Sequence, residues 1–226
     1  MSSEKNQLPG SDPQSPSPNP HSIARTKILR NRPVFMALFA ALIAISGFLI
    51  IPLPIGIPIV LKNMFVVLSG TVLGGFYGGL SVLIFLAAGL LGLPVFVIPG
   101  GPAVFLTPLG GYLAGYAAGS LAAGLISGLP SVSEKKPTPK HWLKLALASF
   151  AGFFLILFCG ALYLMFLNSL SLKAALAAGV LPFIPGDLLK LALSIPLAMK
   201  LRPIAARYIN PGSCEPGALD TGAANA

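Results

Sequence analysis

Between Val34 and Met199 the chain carries an acidic residue only at Glu134 and Asp187. A stretch so poor in charge cannot cover a soluble domain with polar surface. Charged residues are 9% of the whole sequence, against about 25% in an ordinary soluble domain, while 55% are hydrophobic. Mean hydropathy is +0.84. Several apolar runs approach the ~20 residues that a helix needs to cross a bilayer. The fold class this predicts is an all-α polytopic membrane protein, with one membrane domain over residues 33–202.

The flanks have a different composition. Residues 1–32 are polar and rich in Pro and Ser, and are expected to form a disordered cytoplasmic tail. Residues 203–226 are expected to form a loose cytoplasmic tail. Six transmembrane helices are predicted, near Val34–Ile51, Pro58–Gly74, Phe76–Gly92, Pro108–Gly128, Trp142–Leu167 and Pro185–Leu201. A short outer helix is expected near Ser171–Val180. With both termini cytoplasmic, the basic clusters fall on one side, as membrane topology requires. These are Arg25, Lys27, Arg30 and Arg32 before the first run, Lys135, Lys136 and Lys140 in the 129–141 loop, and Lys200, Arg202 and Arg207 at the end. The net charge of +9 is therefore a topology signal. Without an aromatic-interleaved basic stripe it does not point to nucleic acid. Cys159 and Cys214 have neither disulfide nor metal-ligand spacing.

Asp187 stands in Pro185-Gly-Asp-Leu-Leu-Lys190, at the start of the last apolar run. A carboxylate in a membrane helix costs about 2.5–3.5 kcal/mol on insertion scales, so it marks a functional site by default. Lys190, three residues on, shares its helix face. The two either bind a ligand or simply fix the helix. Lys62 and Asn63 enter from the same outer side on the second run. Lys62 is either a lysine snorkelling to the interface or a cation in a binding cavity. The segment from Gly92 to Pro102 is apolar but too rich in Pro and Gly for a helix. Irregular backbone at membrane depth must be buried in protein or line a cavity. Phe96 and Phe105 are accordingly expected to line or cover an outward-facing site. In the first run, Ala37 and Ala41 are four apart, as are Ala40 and Ala44. Small residues so spaced either pack inside the bundle or dock a partner helix.

Gly92-Leu-Pro-Val-Phe96, Pro108-Leu-Gly-Gly-Tyr-Leu-Ala-Gly115, Pro185-Gly-Asp-Leu-Leu-Lys190 and Leu-Ser-Gly-Thr-Val-Leu-Gly74, in this order and on six spans, resemble the BioY family. Its members are the substrate-binding S components of energy-coupling-factor biotin transporters. The resemblance covers about residues 33–202. It implies a high-affinity binding subunit for biotin uptake in the bacterial plasma (inner) membrane, with no cofactor of its own. It also implies a coupling transmembrane protein and two ATPase subunits that use the ATP. The resemblance implies that Asp187 and Lys190 bind the vitamin, and Lys62, Asn63, Phe96 and Tyr112 stand beside them as substrate-binding candidates. Ala37, Ala41, Ala40 and Ala44 resemble the partner-docking motif. The family usually has Gln where Lys62 stands, Tyr where Phe85 stands, and Thr where Leu109 stands.

Three alternatives stand beside this reading. One is an S component for a related small carboxylic acid, one a membrane scaffold, and one an intramembrane enzyme. The enzyme reading lacks an acid pair in the spans, and both histidines, His21 and His141, lie outside the apolar runs. No phosphate-binding Gly-Lys-Ser/Thr loop occurs, so ATP hydrolysis falls to other subunits.

Overall fold

The computed structural model describes residues 20–51, 59–96, 101–131 and 138–209, with side chains from Arg32 onward. Seven α-helices make up most of this: α1 Pro20–Ser46, α2 Lys62–Leu73, α3 Gly75–Leu90, α4 Leu109–Ser127, α5 Pro139–Asn168, α6 Leu172–Gly179 and α7 Ile184–Ile209. Short 3-10 helices at Pro102–Leu106 and Leu181–Phe183 lead into α4 and α7. The two-residue strands β1 (Ile50–Ile51) and β2 (Ile59–Val60) pair antiparallel between α1 and α2.

Two expected boundaries move. α1 begins at Pro20 and runs through Pro33, so the segment expected to be disordered through residue 32 is helical from Pro20. α7 continues past Leu201 to Ile209, through Pro196 and Pro203, so its last turns replace the start of the expected loose tail. The remainder of both tails, the proline-rich turn at 52–58, residues 97–100 and the loop around Glu134 lie outside the described residues.

Glycine sets the helix spacing. α4 lies along α5 through Gly111, Gly115 and Gly119, each four residues after the last. A Cβ at these positions would stand 2.2 Å from Tyr163 Cβ, 3.0 Å from Ile156 Cα and 2.7 Å from Gly152 O. Close approach of this kind replaces the hydrophobic drive that lipid cannot supply between membrane helices. α2 meets α4 where Gly70 faces the Ser120 backbone. There Ser69 and Ser120 share a buried hydroxyl–hydroxyl bond of 3.0 Å. Large apolar side chains point outward instead, among them Phe150, Phe154 and Phe158 on α5, whose rings stack in sequence. Among the described residues three helical stretches are long and apolar enough to cross a membrane: Leu109–Ser127, Pro139–Asn168 and Leu172–Ile209.

One end of the bundle is closed by arginines. Arg202 is almost fully buried, at 2% exposure. Its guanidinium donates to Thr71 O near the end of α2, and to Ser127 O (3.1 Å), Gly128 O (3.4 Å) and Leu129 O (3.2 Å) at the end of α4. Arg32 of α1 donates to Ile209 O, the last carbonyl of α7, at 3.0 and 3.2 Å, and lies over the Tyr77 ring. The C-termini of α2, α4 and α7 thus gather at this end. Their orphan carbonyls and negative dipole ends are met by two fixed cations. The helices must therefore alternate in direction, which places the starts of α2 and α7 together at the opposite end.

Removing the guanidinium would leave several buried carbonyls without donors, at about 1–3 kcal/mol each. Arg202→Met is expected to lower the melting midpoint in detergent by about 10 °C or more, on a scale of roughly 2–4 °C per kcal/mol. Exposed Lys200 is the control: Lys200→Met should leave the midpoint unchanged.

Candidate functional site

The end opposite the arginines holds the expected charges. α7 opens directly from the 3-10 turn at Leu181–Phe183, which sets Asp187 in its first turn, where a carboxylate complements the helix dipole. Asp187 and Lys190 are both buried and form an ion pair of 2.5 Å between Oδ1 and Nζ. Lys190 Nζ also donates to Val60 O of β2 at 3.2 Å. Lys190 Nζ meets Oδ1, while Oδ2 has no hydrogen-bond partner among the described residues. The carboxylate is charge-compensated but under-donated, and an under-donated buried acceptor is costly unless a further donor arrives.

Two tyrosines, Tyr112 and Tyr116, stand one turn apart on α4. The Tyr112 ring crosses Gly160, where an added Cβ would lie 2.2 Å from Cε1. Its hydroxyl donates to Gly179 O at 2.6 Å, fastening the end of α6 just before α7. Tyr116 is buried and donates to Asn63 Oδ1 at 2.9 Å. That bond takes the amide oxygen of Asn63, so its NH2 is the end left to donate.

Lys62 opens α2 and is 4% exposed, so it does not snorkel. Its Nζ donates to Val95 O at 3.2 Å and lies 5.1 Å from the Phe85 ring centre and 5.9 Å from that of Phe96. The two rings meet edge to face at 5.5 Å. Gly47 makes room for the cation: a Cβ there would sit 2.3 Å from Lys62 Cε. The turn after α3 is tied back by Gly101 N–H to Gly89 O, 2.9 Å, and uses Gly92 and Gly101 at φ +88° and +98°. Only glycine adopts such angles without strain. Phe105 is half-buried against the same core, and its carbonyl accepts from the Tyr163 hydroxyl.

The expected site residues Asp187, Lys190, Lys62, Asn63, Phe96 and Tyr112 therefore gather at one end of the bundle. Tyr116 was absent from that set. Its signal was the four-residue step from Tyr112, which puts both on one helix face. The alanines separate. Ala37 and Ala41 are exposed on α1, whereas Ala40 is buried in the core and Ala44 is half-buried against it. Expecting all four to face a partner is thus corrected: Ala40 and Ala44 are internal packing. No cluster of His, Cys, Asp or Glu among the described residues has metal-ligand geometry.

Comparison with known proteins identifies the family. The model of the BioY family matches residues 19–207. The chain is 36% identical over 175 residues to the biotin transporter BioY of Lactococcus lactis, covering 74% of this chain and 88% of that protein. It is 34% identical over 168 residues to the biotin transporter BioY of Thermotoga maritima, covering 74% and 93%. It superimposes with a TM-score of 0.65, at 33% identity, on a crystal structure described as the S-component for biotin from an ECF-type ABC transporter. That alignment covers 82% of this chain and 95% of the other. The family match spans well over half of the sequence, and the chain belongs to the BioY family.

Proposed function

We propose that this chain is the biotin-binding membrane subunit of an energy-coupling-factor transporter, and that it binds without making or breaking a covalent bond. The observation that carries the proposal is the buried Asp187–Lys190 pair, whose Oδ2 has no hydrogen-bond partner among the described residues. Biotin's ureido ring offers two N–H donors and one carbonyl acceptor. A ureido N–H completes Asp187. Lys190 Nζ and the Asn63 NH2 are the donors for the carbonyl. Charge-assisted bonds in a largely apolar cavity fix the ligand's orientation.

In this reading six helices, α1, α2, α3, α4, α5 and α7, cross a bacterial inner membrane. The termini and the arginine-capped end face the cytoplasm, where the Lys/Arg clusters belong. α2 has 12 residues and α3 has 16, about 18 and 24 Å at 1.5 Å per residue. Both are shorter than a ~30 Å hydrocarbon core. The shortfall is tolerable because α2 is nearly all buried, and backbone buried in protein need not be helical at membrane depth. Residues 33–202 form the membrane domain, with α1 and α7 extending beyond it. The exposed Ala37/Ala41 face of α1 docks a coupling transmembrane protein, and a pair of ATPase subunits supplies the energy.

The binding proposal is tested by calorimetry with biotin on the purified protein. Asp187→Asn is expected to weaken binding tenfold or more, since a bond to a charged group contributes about 1.5–3 kcal/mol. The variant should still insert, because the change removes a costly charge. Unchanged affinity would assign Asp187 to helix fixation alone. The docking assignment separates the alanines. Ala41→Trp should keep biotin binding while abolishing uptake in cells that carry the whole transporter. Ala40→Trp should damage both by overfilling the core. Loss of binding in Ala41→Trp would refute the docking face.

A further inference from the structure

The chain has six acidic residues. Five of them, Glu4, Asp12, Glu134, Glu215 and Asp220, lie outside the described residues, which leaves Asp187 as the one acid among those described. Against it stand three buried cations, Arg202, Lys190 and Lys62. Arg202 is surrounded by backbone carbonyls at the far end. Lys190 holds Asp187 at 2.5 Å. Lys62 has a single hydrogen bond among the described residues, to Val95 O, and the faces of two phenylalanines. A carbonyl and two ring quadrupoles soften the desolvation of an ammonium, but they do not neutralise it. Gly47 leaves room for the Lys62 ammonium, and the rings of Phe85 and Phe96 lie against it.

We propose that Lys62 is a specificity residue that selects a ligand carrying one carboxylate, by serving as that carboxylate's counter-ion. The inference rests on the biotin reading above and deepens it. Lys62 and Lys190 flank the 60–63 turn from two sides. Lys190 reaches Val60 O from α7, while Lys62 extends toward α1, α3 and the Val95–Phe96 segment. Lys190, tied to Asp187, attends the ureido end, and Lys62 takes the far end of the valerate chain. With Asp187 and Lys190 cancelling, the site carries one net positive charge, which a monoanion balances and an uncharged amide does not. A cation–carboxylate contact is much stronger in a low-dielectric cavity than in water, so discrimination on charge alone should be large.

The test is a fourfold comparison by calorimetry: biotin and its primary amide, each against the unmodified protein and Lys62→Gln. The unmodified protein is expected to prefer the acid by tenfold or more. Lys62→Gln should lose most of that preference by weakening the acid, with the amide's affinity changed less than threefold. Lys62→Met, which keeps the apolar stem, should behave in the same way, and melting curves identify any variant that fails to fold. A preference that survives both variants, or a loss shared equally by acid and amide, would overturn the inference and leave the function reading intact. Binding of neither compound to the unmodified protein would overturn both.

Discussion

Charge is expensive inside an apolar bundle, and α7 carries charged groups at both ends. At one end Asp187 and Lys190 neutralise each other. At the other Arg202 spends its donors on the carbonyl ends of α2 and α4. The two solutions have different consequences. Arginine's planar fork satisfies several carbonyls at once and leaves little of its hydrogen-bonding capacity for anything else. The Asp–Lys pair satisfies charge but leaves acceptor capacity unused. One end of α7 is thus a closed structural joint, and the other is an ion pair with an acceptor oxygen to spare. The glycine-lined seams among α2, α4 and α5 hold the bundle close enough for both to work.

The residues around the open end share a second property: their positions are fixed by groups other than the ligand. Tyr116 orients Asn63, Tyr112 holds the end of α6, Tyr163 holds the segment before α4, and Val60 holds Lys190. In the proposed binding role, fixing Asn63 and Lys190 in advance would reduce the ordering that a ligand must impose. The Phe85–Phe96 pair and the tied-back turn after α3 complete the surroundings on the Lys62 side.

Much of this was legible in the sequence, because membrane burial makes ionisable residues rare and conspicuous. Asp187 and Lys190 stood out for that reason. The Pro/Gly-rich stretch after α3 announced irregular backbone, and the short α6 was found within a residue or two of its expected place. Arg202 was missed because its partners are backbone carbonyls, which have no signature in a sequence. It was read only as one of the basic residues that set the topology, at the boundary of a tail whose start is in fact helix. The alanines of α1 could not be told apart because both pairs have the same spacing and apolar neighbours. A rotation of about 60° around the helix decides which pair is exposed, and only packing sets that rotation. Lys62 could be read either as an interface lysine or as a cavity cation, because Gly47 and Val95, which receive it, lie outside its own helix.

In the proposed function the Asp187–Lys190 pair serves binding and not stability. Buried ion pairs replaced by apolar residues of similar size often leave a protein as stable or more so. The most direct measurement is therefore the melting midpoint of the double variant Asp187→Leu/Lys190→Met, with and without saturating biotin. The account predicts an unliganded midpoint equal to or above that of the unmodified protein, and no upward shift when biotin is added. A midpoint several degrees lower, with the biotin-induced rise preserved, would contradict it.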